Sequence, residues 1–98
     1  MRRPKTSERV RHDRDRTVIL QILVPKGAGN EMEFYELLDQ ADLRDRPMSV
    51  ETLAFHVRYL NGNGWLGFRE ETPPDSKVKK IKTVWITALG IDVLDDVA

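Results

Sequence analysis

Between Ser49 and Gly64 the sequence spells out a short helix with both of its ends, followed at once by a strand. The Ser49 hydroxyl can cap the exposed amides of a first turn. Val50, Leu53, Val57 and Leu60 recur on one side, within about 80° of their mean direction at 100° per residue. Glu51, Thr52, Phe55, Arg58 and Tyr59 fall on the other. Asn61-Gly62-Asn63-Gly64 stops the helix, because Asn and Gly tolerate the left-handed backbone of a C-cap. Trp65 to Glu71 then reads as a strand. A helix this short is unstable alone in water, so its aliphatic side must be covered by neighbouring elements. Thr52, Phe55 and Arg58 are then left projecting to water.

The rest of the chain supplies those neighbours. Val18, Ile19, Ile22 and Leu23 share one helical face, and Pro25 with Gly27-Ala28-Gly29 ends that helix. These glycines lack the spacing and the following Lys-Ser/Thr of a phosphate loop and read as a turn. Asn30 is read as opening a second helix, with Glu33 three residues on as in a capping box. Phe34, Leu37, Leu38 and Ala41 make its apolar stripe. Asp42 to Pro47 is polar and breaks the pattern. After the first strand, Thr72-Pro73-Pro74-Asp75-Ser76 is a loop through which no strand passes. Val78 to Ile86 returns as a second strand, with Val84 and Ile86 on one face and Trp85 on the other. Thr87 caps a last helix whose inner face is Gly90, Val93, Leu94 and Val97. The expected architecture is α+β, mostly α: three helices, a hairpin and a C-terminal helix. Its expected core is Val18, Ile19, Ile22, Leu23, Phe34, Leu37, Leu38, Leu53, Val57, Leu60, Leu66, Val84, Ile86 and Leu94.

Composition removes several classes of function. Ninety-eight residues make one domain, here residues 13–98, behind a flexible basic arm over residues 1–12 in which helix can begin at about Arg9. There is no cysteine, hence no disulfide, thiol nucleophile or Cys-based zinc site. His12 and His56 are too few for a typical zinc enzyme site, and no cofactor or metal is expected. No apolar run approaches a membrane span, so no membrane partner is expected and a reduced, cytoplasmic setting is the default. The acids lie on polar helix faces, and Ser7, Ser49 and Ser76 lack a nucleophile-elbow setting, so the chain does not read as an enzyme. The net charge of zero hides a split. Residues 1–16 carry seven basic side chains against three acidic ones, and the remainder carries nine against thirteen.

Ser49-Val50-Glu51-Thr52-Leu53-Ala54-Phe55-His56-Val57-Arg58-Tyr59-Leu60, then Gly64-Trp65-Leu66, resembles the recognition helix of the winged helix-turn-helix family, MarR-, ArsR- and PadR-type regulators among them. Trp85-Ile86-Thr87-Ala88-Leu89-Gly90-Ile91-Asp92-Val93-Leu94 is similar to that family's wing strand running into its last helix. The likeness covers roughly residues 13–97 and extends to small phage-borne winged-helix proteins. It implies double-stranded DNA as partner and a role in transcriptional control. The third helix would enter the major groove and the hairpin would touch phosphates. On that pattern Glu51, Thr52, Phe55, His56, Arg58 and Tyr59 face DNA, and Lys77, Lys79, Lys80 and Lys82 are the wing's phosphate contacts. Arg58, planar and bidentate, is the residue best suited to read a guanine edge. The family's regulators usually work as dimers. This chain lacks their long dimerisation helices, so a homodimer would use the N-terminal segment or the last helix.

Other readings of the same residues stay open. Glu51, Phe55 and Tyr59 give the outward face the composition of a protein-contact surface, and a protein-interaction module on the same scaffold is the alternative function. The N-terminal segment could also simply cover Phe55 and Tyr59. The helix before the recognition helix is acidic, with Glu31, Glu33, Glu36 and Asp39. The lysines of 77–82 also suit a solvated strand edge. His56 also reads as a boundary residue, and Trp65, Phe68 and Trp85 as hairpin packing. The basic arm reads either as a tail or as a contact arm ordered by nucleic acid.

Overall fold

The computed structural model describes the backbone of residues 7–97 and the side chains of residues 9–96. The chain runs α1 (Ser7–Leu23), a 3-10 turn (Val24–Lys26), β1 (Met32–Glu33), α2 (Phe34–Leu43), α3 (Val50–Gly62), β2 (Leu66–Glu71), β3 (Lys80–Ile86) and α4 (Ala88–Val97). The expected order of helices and hairpin is the observed one. The sheet is antiparallel with strand order β1-β3-β2.

Ser49 caps α3, its Oγ accepting from the Thr52 amide at 3.1 Å. The helix ends through Gly64, whose φ of +78° is the left-handed value a glycine supplies without strain. Ile19, Leu23, Leu37, Leu53, Val57, Leu60, Val84 and Ile86 are all inaccessible to water and form one core between the helices and the sheet. Each such side chain contributes about 1.5–3 kcal/mol by leaving water. Val18, Leu38 and Leu94 pack at the margin of that core.

Thr87 joins wing to α4. Its Oγ1 donates to the Gly64 carbonyl at 2.7 Å and accepts from the Gly90 amide at 3.0 Å. Gly90 approaches the Trp65 backbone so closely that a Cβ would run into its carbonyl oxygen. On the sheet, Trp85 lies flat across Gly67, its register partner.

Four expectations need correction. Helix α1 begins at Ser7, two residues before the expected start at about Arg9, so residues 7–12 are helical and not a flexible arm. This stretch has no apolar period; polar tertiary contacts from His12, Asp15 and Arg16 hold it, as described below. The first six residues of the expected arm and the Val97 side chain lie outside the described residues. Asn30 does not open the second helix: its amide donates to the Lys26 carbonyl, and α2 starts at Phe34. Between them β1 pairs with the free edge of β3, Met32 opposite Val84 and Glu33 opposite Thr83, which buries Met32. The strand expected from Val78 begins at Lys80, because Ser76 Oγ accepts from the Val78 amide and keeps the chain in its turn. Lys77 and Lys79 therefore belong to the loop, and Lys80 and Lys82 to the strand.

Candidate nucleic-acid interface

Helix α3 buries Leu53, His56, Val57 and Leu60. The expected stripe had Val50 where the structure has His56. Val50 is exposed and His56 is 0% exposed, so the helix is rolled by part of a turn from the aliphatic reading. His56 is thereby removed from the outward face on which the resemblance placed it. The outward stripe is Glu51, Phe55 and Arg58, with Tyr59 beside it and Thr52 half-buried. Phe55 is 52% exposed and Tyr59 47%.

Two elements flank this stripe. On one side is the wing: Arg58 Nη2 lies 3.4 Å from Glu70 Oε2, and its guanidinium sits 5.8 Å from the Phe68 ring centroid. On the other side is α1. The Arg16 guanidinium stacks 3.5 Å from the Tyr59 ring centroid, and His12 lies 5.9 Å from Phe55. The N-terminal segment thus borders the two aromatics and leaves about half of each exposed.

A buried polar cluster underlies the α1 contact. Asp15, 5% exposed, accepts from Arg46 Nε at 2.9 Å and from Arg46 Nη2 at 2.7 Å on the same oxygen. Its other oxygen is 3.4 Å from His56 Nε2. Arg16 Nε donates to His56 Nδ1 at 3.2 Å. Because Nδ1 accepts, the imidazole is neutral with its proton on Nε2. Burial pushes His56 below its ordinary pKa of 6.5, and the Arg16 charge adds to the effect; His12 acts the same way, and Asp15 opposes them. Asp45 adopts a left-handed backbone, φ +59°, and this turn throws Arg46 back onto α1. Arg46 Nη2 also donates to the Arg11 carbonyl at 3.3 Å.

Sequence reasoning missed this cluster, although a signal existed. Asp15 lies four residues before Ile19 and eight before Leu23, and His56 lies three after Leu53 and four before Leu60. Each sits on an apolar stripe, where a polar residue must find a buried partner.

The four wing lysines are exposed, as the sequence suggested. Lys82 Nζ is 3.6 Å from Glu71 Oε2, while Arg69 pairs across the sheet with Glu31 at 3.2 Å. Such exposed pairs exchange readily with a competing anion. Among the described residues, no group of three His, Cys, Asp or Glu is placed to hold a metal ion, and no helix is long and apolar enough to cross a membrane.

No family model and no curated protein sequence matches the chain. Solved structures do. A PadR-like transcription factor from Bacteroides fragilis superposes with a TM-score of 0.70 at 12% identity, over 92% of this chain and 82% of that one. The winged-helix DNA-binding protein F93 from STIV gives 0.58 at 24% identity, over 83% and 79%. PadR of Bacillus subtilis, solved in complex with operator DNA, gives 0.60 at 20% identity, over 83% of this chain and 44% of that one. Three helices, a two-stranded wing braced on β1 and a closing helix, superposing on these proteins, make this chain a winged helix-turn-helix fold.

Proposed function

We propose that the chain is a DNA-binding winged-helix protein acting in transcriptional control, with no catalytic role and a cytoplasmic place of work. Helix α3 enters the major groove with Thr52, Phe55, Arg58 and Tyr59 toward the bases, and Lys77, Lys79, Lys80 and Lys82 take phosphates. The observation that carries this reading is the outward stripe of α3 beside a lysine-bearing wing, with Arg58 in an exposed pair to Glu70. Two of the proteins it superposes on are described as binding DNA. A second copy would seat along α1 and α4, where a groove of about 400 Å³ is lined by Leu20, Trp65, Val93 and Leu94.

Gel shifts on pooled random duplexes test the reading. Lys79→Glu with Lys80→Glu should weaken binding to every sequence. Arg58→Ala should cost about 1–3 kcal/mol and relax preference at one base pair. Full binding by the double lysine variant would remove the wing from the interface.

A second reading has one observation in its favour. Phe55 and Tyr59 are about half exposed with the Arg16 guanidinium beside them, and aromatics with arginine are what protein interfaces concentrate. If the face docks a protein, Phe55→Ala abolishes partner recovery and leaves the fold intact. Unchanged recovery counts against it.

A further inference from the structure

The wing flank of α3 has its lysines; the opposite flank carries a cavity that the reading above leaves unused. It lies between the first turns of α1 and the α2–α3 connection, has a volume of about 560 Å³, and is lined by Arg11, Arg14, Arg46, Asp15, Asp45 and Pro47. Arg46 and Asp15 hold each other on its floor. Arg11 and Arg14 are exposed, and among the described residues neither guanidinium makes an ion pair. Three arginines against two carboxylates leave the wall with net positive charge. Guanidinium forks match the oxygens of a phosphate group better than any other common anion except a carboxylate. Arg46 is clamped to Asp15 through both Nε and Nη2.

Position selects among phosphate sources. Pro47 stands two residues before the Ser49 cap, so the cavity opens beside the N-terminal end of α3. In a helix-turn-helix complex that end approaches the base edges, and backbone phosphates border the groove on both sides of it. The geometry points to this cavity as the seat of one DNA backbone phosphate, gripped by Arg11 and Arg14 on the flank opposite the wing. The inference rests on the DNA reading above and adds a second anchoring flank to it.

The test uses the full chain, pooled random duplexes and fluorescence anisotropy over a salt series, comparing the wild type, Arg11→Gln with Arg14→Gln, and Lys79→Ala with Lys80→Ala. Both arginines are exposed, so the variant should keep the wild-type melting curve. The arginine variant should bind about tenfold more weakly. Its plot of log affinity against log salt should be shallower by about 1, the share of a single phosphate. A wild-type slope in the arginine variant alongside a reduced one in the lysine variant overturns the cavity and leaves the DNA reading standing. If the wild type binds no duplex, both fall. Titration with inorganic phosphate, followed through arginine Nε–Hε resonances, separates the sources. Saturation by free phosphate at low millimolar concentration, with the duplex slope unchanged, identifies a small-anion site and contradicts the backbone assignment.

Discussion

Arg16 donates to His56 Nδ1 across 3.2 Å, which ties a cation on α1 to a neutral, buried imidazole on the underside of α3. The same guanidinium covers Tyr59 on the outward side. One arginine therefore links the buried face of α3 to its exposed face.

That contact makes stability depend on pH. Burial first, and the Arg16 charge second, hold folded His56 below 6.5. The unfolded chain takes up its proton first as pH falls, so the contribution of neutral His56 is complete above 6.5 and is lost as pH drops from there through the folded value. Melting temperature should fall as pH drops below 6.5, the ordinary value from which His56 is lowered. His56→Asn should be less stable throughout, with a flatter profile. A slope that survives His56→Asn would assign the effect to other groups.

Removing Asp15 should be costly out of proportion to its size. Asp15→Ala leaves Arg46 without its carboxylate and the buried His56 Nε2 without its neighbour. Urea unfolding should report a loss of about 2–3 kcal/mol. Glu70→Gln, which loosens the exposed Arg58 pair, should change stability by no more than about 0.5 kcal/mol. Equal effects from the two would mean that the Asp15 cluster does not hold α1 on α3.

Two glycines fix how the wing meets the body. A Cβ at Gly67 would lie 2.5 Å from Trp85 Nε1, and one at Gly90 would lie 2.9 Å from Ile86 Cγ1 while running into the Trp65 carbonyl. Gly67→Ala should destabilise by about 1–3 kcal/mol. Trp85→Leu in the same chain should recover part of that loss, since a side chain is the obstacle. Gly90→Ala should sit at the upper end of that range or beyond, because the obstacle is backbone. A double-mutant cycle showing no coupling between Gly67 and Trp85 would contradict the packing.

The hairpin and three of the four helices were legible because their aliphatic residues repeat with the period of the element and their ends carry caps that act locally, as Ser49 and Gly64 do. What escaped was decided by tertiary partners. Met32 pairs with Val84, 52 residues further along the chain, and nothing near Asn30 announces that a strand edge will be waiting. The reading of α1 stopped short because His12, Asp15 and Arg16 face α3 through polar contacts, which leave no apolar period. His56 was assigned to the outward face by analogy with a motif, whereas its place between Leu53 and Leu60 already put it on the inner stripe. The wing lysines and Arg58 were readable from charge alone, since long cationic side chains on a strand edge and on a polar helix face stay in water.

The most direct measurement is the equilibrium binding of the unmodified chain to pooled random duplexes from about 50 to 200 mM salt. If α3 and its two flanks grip a duplex, affinity falls steeply over that range, with a log–log slope of about −0.9 for each phosphate engaged. A chain that leaves random duplexes unbound at the lowest salt contradicts the account.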